Sequence, residues 1–457
     1  MQQNQHMAHN INILTSLTPQ YAIPAKIKPS KVKPWLVCLT AALFFYFEFF
    51  QINIFSVLDK HIMREFSVGA YELGVISSAY FYAIVFSLIP AGIILDFIST
   101  RKIILCSMVV AIAGTLWFAN APNINQLIYA RLFVGIGGGA FCLLSSIKLA
   151  TRWFPAQRLG LAIGMVISIG MLGGVMAQTP FALAIDLLGW RNAIVLDAII
   201  GIIIFTLIWI IVEDYPPQTM TNTSEHTRQQ LSSPTPTISI QAFVANAKAA
   251  AKRWPNWAAG IFASLLNLPI FLLGSLIGSL YLMQVYGYHA ITASFINSML
   301  YWGMLLGCPF FGLISDNLHS RKKPMLFGSI ITFIAICYLI NNHCSFSILL
   351  ALFFIIGFGS SSQILSYPMV AERNPQHQVA SGEGIAATLI MSGGAIFQPL
   401  LGWLIELNWN GNMLDNTPLY SLSDYHCSFW LMPIAIVVAL AVLLPLREMS
   451  PNTPLLS

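Results

Sequence analysis

A single acidic residue, Glu48, interrupts the first long apolar run of this 457-residue chain. A run of about 20 apolar residues is long enough to cross a membrane, and an ionised carboxylate in its middle costs several kcal/mol. The carboxyl group must therefore be protonated, paired or hydrated. Two interpretations stay open: Glu48 binds a proton or a polar substrate, or it pairs with a basic group of a neighbouring helix for structural reasons.

The residues that share a helical face with Glu48 suggest what surrounds it. Helical periodicity places Phe44, Gln51 and Phe55 on the same face of the first span. This face combines a titratable group, an amide and two aromatic rings, as a cavity for a small substrate requires. We therefore predict that the face lines such a cavity.

Two more charged residues, Arg131 and Asp197, lie in the outer parts of later apolar runs. Charges in lipid are unfavourable, so both side chains are expected to face protein. One hypothesis is that Arg131 and Asp197 pair with each other. The alternative is that Arg131 holds a substrate carboxylate or a proton-relay acid.

Neutral polar side chains are spread over the other apolar runs. Each one alone is more often a helix–helix hydrogen bond than a ligand contact. As a set they indicate a neutral or zwitterionic small-molecule substrate, because few fixed charges accompany them. The candidates for lining a central cavity are Gln51, Ser145, Gln178, Asn267, Asn297, Tyr301, Gln363, Tyr367 and Gln398.

Composition indicates a multi-pass membrane protein. Hydrophobic residues make up 57% of the chain and charged residues only 9%, against about 25% charged in a soluble domain. Mean hydropathy is +0.73. The net charge of +5 comes from Lys and Arg in short loops, where these residues orient a membrane protein rather than bind nucleic acid. Most of them fall on one side of the predicted spans, so both termini are expected in the cytoplasm.

The apolar runs predict an all-α membrane protein with twelve spans in two bundles of six helices. The approximate limits are 34–58, 73–95, 102–120, 126–150, 158–181, 192–212, 257–284, 289–314, 324–341, 346–370, 379–404 and 428–446.

The polar segments divide the chain further. We predict a cytoplasmic tail over 1–33, a first bundle over 34–212, a cytoplasmic linker over 213–256, a second bundle over 257–446 and a tail over 447–457. Within the linker, 238–253 is predicted as an amphipathic helix on the membrane surface.

A short charged motif occurs twice at a constant offset of 220 residues, so the chain consists of two homologous halves. The matched residues are Gly92 and Gly312, Asp96 and Asp316, Arg101 and Arg321, and, farther along, Gln178 and Gln398. We predict that the Asp residues, paired with Arg or with a helix N-terminus, latch the inner gate in one conformational state. The alternative is that the basic residues only set orientation.

The sequence lacks hydrolase, P-loop and metalloprotease motifs and Cys/His metal spacing. No catalytic residue, cofactor or metal is therefore expected. Without a P-loop, the energy for transport would come from a gradient or from the substrate itself. Cys344 and Cys427 both fall in predicted outer loops, where a disulfide between them is one alternative.

The repeated motif and the segment Arg131-Leu-Phe-Val-Gly-Ile-Gly137 resemble signatures of the major facilitator superfamily, and the resemblance covers essentially the whole chain. In the first motif, Phe97 and Ser99 replace a usual basic residue and a usual glycine. The resemblance implies six plus six helices and, for Arg131, proton transfer or positioning of the fourth span. The Gly-Pro antiporter signature of the fifth span is absent, which disfavours proton-driven export.

Three shorter stretches resemble the phagosomal-transporter (Pht) branch of intracellular bacterial pathogens. They are Ala41-Ala-Leu-Phe-Phe-Tyr-Phe-Glu48, Ala150-Thr-Arg-Trp-Phe-Pro155 and Met176-Ala-Gln-Thr-Pro180. This resemblance implies import of amino acids or nucleosides.

We therefore predict a secondary transporter of the cell inner membrane that imports a small polar nutrient by proton symport and alternating access. Its expected partners are that solute, a proton and membrane lipid, and the chain is expected to be a monomer. Two alternatives stay open: an exporter of a drug or metabolite by proton antiport, and a non-transporting membrane sensor.

Overall fold

The computed structural model describes residues 32–154, 156–216, 240–375, 378–407, 409–414 and 417–446. Eleven helices in this part are long and apolar enough to cross a membrane. A pair of helices, Trp254–Leu266 and Ile270–Tyr286, bent by 43° at a short break, makes a twelfth span when counted as one. The predicted all-α fold with twelve spans is confirmed.

The spans are numbered here in chain order. Their bounds are Lys33–Asn53 with Phe55–Phe66 (span 1), Ala70–Phe97 (span 2), Thr100–Ala119 (span 3), Ile124–Val134 with Gly135–Gly139 and Cys142–Trp153 (span 4), Ala156–Met176 with Thr179–Leu188 (span 5), Trp190–Ile211 (span 6), Trp254–Leu266 with Ile270–Ile277 and Gly278–Tyr286 (span 7), Ala290–Asn317 (span 8), Lys322–Asn341 (span 9), Phe346–Ser360 with Ser361–Leu365 and Ser366–Arg373 (span 10), Val379–Glu406 (span 11) and Leu422–Phe429 with Leu431–Leu443 (span 12). The side on which span 1 begins is called the inner side, and the opposite side the outer side.

Side-chain caps fix where several spans begin. Ser99 accepts a hydrogen bond from the backbone N–H of Lys102 at 3.3 Å ahead of span 3. Asn123 accepts one from the N–H of Gln126 at 3.0 Å ahead of span 4. The first N–H groups of a helix have no partner within it, so these side chains supply the missing acceptors.

Two spans contain π-helical segments that hydropathy does not predict. In span 4 the segment is Gly135–Gly139, and in span 7 it is Ile270–Ile277, directly after Pro269. A π-helical turn inserts an extra residue and shifts the faces of the helix on either side of it. These segments therefore decide which residues of spans 4 and 7 meet the rest of the bundle.

The two halves touch along spans 2 and 11, spans 5 and 8, and spans 1 and 7. Gly74 and Gly402 allow spans 2 and 11 to approach closely near their outer ends, where a Cβ at either position would overlap backbone atoms of the other span. Near the inner ends of spans 5 and 11, by contrast, a Cβ at Gly160, Gly164 or Gly384 would meet no atom within 4 Å. The halves are therefore in close contact near the outer ends of spans 2 and 11, and no such close glycine contact occurs at these three inner positions.

Two smaller predictions have mixed outcomes. A helix forms at Ile240–Ala251, within the predicted 238–253, whose first two residues lie outside the described part. The alternative of a disulfide between Cys344 and Cys427 is not realised, because both cysteines are free: Cys344 is buried and Cys427 is exposed. The predicted tails 1–33 and 447–457 fall almost entirely outside the described residues, as does the middle of the predicted linker.

A short antiparallel pair of strands, Met413–Leu414 and Thr417–Pro418, lies in the outer loop before span 12.

Candidate functional site

Glu48 is fully buried inside the first half. The hydroxyl of Tyr80, from span 2, donates a hydrogen bond to Glu48 Oε2 at 2.8 Å. Oε1 has no hydrogen-bond partner. The carboxyl group packs directly against Gly138 of the π-helical segment of span 4, where a Cβ would overlap it. The glycine thus makes room for the Glu48 carboxyl group.

Arg131 lies next to this carboxyl group and is also fully buried. Its Nη1 donates to the backbone oxygen of Gln51 at 2.9 Å, whereas Nε and Nη2 have no partner. The guanidinium lies 4.9 Å from the centroid of the Tyr80 ring and 5.6 Å from that of Phe55. Cation–π attraction is strong when the cation is removed from water. Tyr80 therefore connects the two charged groups, through its hydroxyl to Glu48 and through its ring to Arg131.

Asp197 of span 6 is buried beside Gln51. The amide nitrogen of Gln51 donates to Asp197 and, at 3.0 Å, to the hydroxyl of Thr115 in span 3. Of the alternatives for Arg131 and Asp197, the direct ion pair does not form. Gln51 instead joins them, with its backbone oxygen on Arg131 and its side chain on Asp197.

The face of span 1 that was predicted to line a cavity therefore does not point toward the second half. Glu48 reaches spans 2 and 4, and Gln51 reaches spans 3 and 6. All of these helices belong to the first half. Periodicity correctly groups these side chains on one face, but it does not say which neighbour the face meets. The face lies in the interior of the first bundle.

A second polar cluster lies between the halves. Asn297 of span 8 donates to the side-chain oxygen of Gln178 at 2.9 Å and to the backbone oxygen of Gly274 at 3.1 Å. Tyr301 donates to Asn53 Oδ1 at 2.6 Å. The structure thus brings three of the predicted cavity residues together across the interface.

The sequence analysis missed Asn53 and Ser56 of span 1, which complete this interface cluster. Ser56 exchanges hydrogen bonds with Gln178, and the Gln178 amide also donates to Asn53 O at 3.2 Å. Both residues lie just beyond Gln51 in the sequence, around the break of span 1 at Ile54. The signal available in the sequence was the presence of these two further polar residues near the end of the first apolar run.

The repeat-related glutamines make equivalent contacts within their own halves. Gln178 donates to Ser56 at 3.0 Å, and Gln398 donates to Ser275 at 3.2 Å and to the backbone oxygen of Phe271 at 3.0 Å. Each amide therefore satisfies a backbone carbonyl close to a break in span 1 or span 7, where the regular helical bonding is interrupted.

Other predicted cavity residues lie outside the interface cluster. Gln363 is in the 3-10 segment of span 10, and Tyr367 follows one turn later; both are half-buried. Ser145 is buried and donates to Cys142 O within span 4. Asn267 is buried at the break of span 7, and its Oδ1 has no partner.

The outer ends of spans 2 and 11 are joined by hydrogen bonds. The N–H of Tyr71 donates to Glu406 Oε1 at 3.1 Å, and the N–H of Ala70 donates to the hydroxyl of Tyr420 at 2.8 Å. The second half thus supplies the acceptors for the first turn of span 2. The interface cluster and these bonds together close the outer side.

The predicted inner-gate residues of the second half form a charge cluster. Arg321 Nη1 lies 2.6 Å from Asp316, and Nη2 lies 2.8 Å from Glu372 of span 10. Burial acts to lower the pKa of Arg321, but the two carboxylates outweigh it and raise that pKa above its ordinary value. The cluster joins the inner ends of spans 8, 9 and 10. Gly312 faces open space.

The first copy of the motif is described only in part. The surroundings of Gly92 and the side chain of Asp96 lie outside the described part of the chain. The backbone N–H of Arg101 donates to Asp214 at 3.0 Å, and its guanidinium donates to Trp209 O. Asp214 also pairs with Arg152 at 3.5 Å. Asp214 and Glu372 were missed by the sequence analysis, although both are acidic residues next to the inner end of a span.

Comparisons with known proteins agree with this geometry. The chain matches the family model described as Major Facilitator Superfamily over residues 37–295 and 264–455. It is 25% identical over 372 residues, covering 77% of this chain and 84% of the relative, to the D-galactonate transporter of Escherichia coli O6:H1. It is 29% identical over 151 residues to a probable sulfoacetate transporter of Cupriavidus necator, covering 33% of this chain and 34% of that one.

A solved structure shows the same fold. A bacterial homolog of the human lysosomal transporter Spinster, in an inward-facing and unoccupied conformation, superposes with a TM-score of 0.75. The match covers 91% of this chain and 97% of that one at 17% identity.

Proposed function

Because the chain belongs to the Major Facilitator Superfamily, whose members are membrane transporters and not enzymes, we propose that it imports a small polar nutrient by proton symport. The observation that carries this proposal is the buried Glu48 carboxyl group, which has one oxygen on Tyr80 and the other without a partner. A buried carboxyl group without a direct ion pair can bind and release a proton as its surroundings change.

The proposed coupling connects Glu48 to the movement of the halves. Tyr80 and Gly138, which contact Glu48, lie on spans 2 and 4. Span 2 also carries the outer contacts to span 11. A change in the charge of Glu48 therefore acts on a helix that belongs to the outer closure. Arg131, with two unpartnered nitrogens, stabilises the ionised form when Glu48 loses its proton.

The proposed substrate is an amino acid or a nucleoside. The resemblance to the Pht branch supports this class. So does the interface cluster, whose side chains Asn53, Gln178, Asn297 and Tyr301 are all neutral hydrogen-bonding groups. The D-galactonate relative extends the range of solutes worth testing to sugar acids.

The proposed setting is the inner membrane of a bacterial cell, with both termini in the cytoplasm and the chain acting as a monomer. Bacterial relatives support the membrane assignment. The concentration of Lys and Arg on the inner side supports the orientation. In this orientation the close contact between spans 2 and 11 lies on the outside.

The repeated motif is proposed to control the rate of the conformational change, with Asp96 and Arg101 acting in the first half as Asp316 and Arg321 do in the second. The cluster around Arg321 supports this role, because it holds spans 8, 9 and 10 as one unit.

Uptake into proteoliposomes tests the proposed function. Purified protein is offered twenty amino acids, common nucleosides, sugars and hexonates, each with and without an inward proton gradient. We expect one class to accumulate only with the gradient. Accumulation driven by an outward gradient of protons would instead establish antiport, and absence of flux for every solute would favour the sensor.

A further inference from the structure

Asp59 is a buried acidic residue to which the proposed coupling mechanism gives no role. It lies near the outer end of span 1 and has no exposed surface. Its Oδ1 accepts a hydrogen bond from the backbone N–H of Lys60. Its carboxyl group also lies close to the backbone of Leu280, in the part of span 7 that packs against the outer end of span 1. Oδ2 has no partner.

The surroundings of Asp59 do not neutralise a negative charge. Asp59 forms no ion pair within the described part of the chain. The side chain of Lys60 is exposed, and that of His61 follows on the same helix. From the second half, the phenols of Tyr281 and Tyr425 lie nearby.

Two other carboxylates belong to the same outer closure. Glu72, on span 2, accepts from the N–H of Gly69, and Glu406 accepts from Tyr71. Both therefore have hydrogen-bond donors of their own.

We propose that Asp59 is a second proton-binding site of this transporter, and that the outer side closes only when Asp59 is protonated. The proposal rests on transport by alternating access, as set out above. Separation of spans 1 and 7 would break the contact with Leu280 and admit water to the carboxyl group. The ionised form is stable in water and unfavourable in the dry interface, so protonation and closure favour each other.

The sign of the effect follows from this linkage. Protonation stabilises the closed outer side, so lowering the pH closes it and raising the pH through the titration of Asp59 opens it. The ratio of open to closed molecules changes by at most about ten-fold per pH unit for a single site. When the outer side reopens, Asp59 releases this proton to the outside, so the site links closure to the external pH without itself moving a proton across the membrane.

Distances between spin labels on the outer surface test the proposal. The labels replace exposed Arg64 on span 1 and exposed Asn412 in the loop before span 12, in a variant whose native cysteines are changed to serine. As the pH is raised from 5 to 9, we expect the otherwise wild-type chain to show a growing population with the longer, outer-open distance. Asp59→Asn, which is neutral at every pH, should keep the short distance throughout.

Three further variants make the result specific. Glu65→Gln removes an exposed carboxylate on the same helix and should respond to pH like the wild type. Glu406→Gln removes another acid of the closure and should respond likewise. Asp59→Ala is neutral but leaves a void at a fully buried position between spans 1 and 7, so its distances should be independent of pH with a larger open population.

Two outcomes would overturn the proposal: a wild type whose distances do not respond to pH, or an Asp59→Asn variant that responds as the wild type does. Because the labels report conformation without any solute, this outcome is separate from the uptake experiment. Failure of gradient-driven uptake with a persisting Asp59 effect would refute symport and leave the proton-sensitive closure in place.

Discussion

The two halves of this transporter share a fold but differ in buried charge. The first half encloses Glu48, Arg131 and Asp197, all nearly or fully buried. The repeat offset of 220 residues puts Leu268 at the position of Glu48. Around Arg131 the offset is 222, because Gly135-Ile-Gly137 matches Gly357-Phe-Gly359, and Phe353 takes the place of the arginine. The buried charged residue among the described residues of the second half is Asp424, which caps the start of span 12 through the N–H of Ser421 at 2.7 Å.

The neutral polar contacts, by contrast, occur in both halves. Gln178 with Ser56 and Gln398 with Ser275 are equivalent pairs that satisfy backbone carbonyls at helix breaks. Contacts that occur in both halves are expected to stabilise the fold. Buried charged residues that occur in only one half are better candidates for a functional role. The comparison therefore supports placing the proposed proton coupling in the first half.

Substitution of Gly138 should have the largest effect, because its Cα lies against the Glu48 carboxyl group. The new methyl group of Gly138→Ala would overlap that carboxyl, so spans 1 and 4 would have to separate. Overpacking of this kind costs about 1–3 kcal/mol. We expect a lower unfolding temperature and loss of gradient-driven uptake.

Gly164→Ala is the matched control, since its methyl group would project into open space on the inner side. Thermal unfolding and uptake should both stay at wild-type values for this variant. Equal behaviour of the two alanine variants would contradict the tight fit described for Glu48.

A pair of glutamine variants separates the interface from the scaffold. Gln178→Ala removes contacts to both halves, including Asn297 and the backbone oxygen of Gly274. Gln398→Ala removes contacts to span 7 alone. Each variant should lower the free energy of unfolding by about 1–3 kcal/mol, because buried backbone carbonyls lose their hydrogen-bond donor.

Only Gln178→Ala should, in addition, increase the outer-open population. Labelling of a cysteine introduced at an outer interface position, with a membrane-permeant and an impermeant maleimide, would measure this. The distinction between the two glutamines would be lost if Gln398→Ala opened the outer side to the same extent.

A substitution in the inner charge cluster should have the smallest effect of these variants. Glu372→Gln removes one partner of Arg321 but leaves Asp316 in place. The Glu372 side chain is 41% exposed, and exposed ion pairs contribute about 0–1 kcal/mol. We expect an unfolding temperature close to the wild-type value and a changed uptake rate with an unchanged choice of solute. A change in solute preference would contradict a purely conformational role.

Hydropathy predicted the spans well because the membrane sets their length. Span 9, for example, was predicted at 324–341 and runs over Lys322–Asn341. The π-helical segments could not be predicted in this way, because an extra residue in a turn leaves mean hydropathy unchanged. The segment at Gly135–Gly139 nonetheless decides that Gly138, rather than a side chain, meets Glu48.

The residues of the site were easier to predict than their partners. Glu48, Arg131 and Asp197 stood out because charges in apolar runs are costly. Their connection through Gln51 and Tyr80 depends on how spans 1, 2, 4 and 6 pack, and periodicity along one helix does not contain that information. Asn53 and Ser56 were not predicted, because neutral polar residues are common in apolar runs and cost less than charged ones.

The most direct test of the account compares accumulation and exchange in Glu48→Gln. The amide keeps the shape of the side chain and an oxygen for the Tyr80 hydroxyl, but it does not titrate. We predict that the variant still exchanges internal for external solute across proteoliposomes and no longer concentrates it under an inward proton gradient. Accumulation equal to that of the wild type would show that Glu48 is structural and that the coupling acid lies elsewhere.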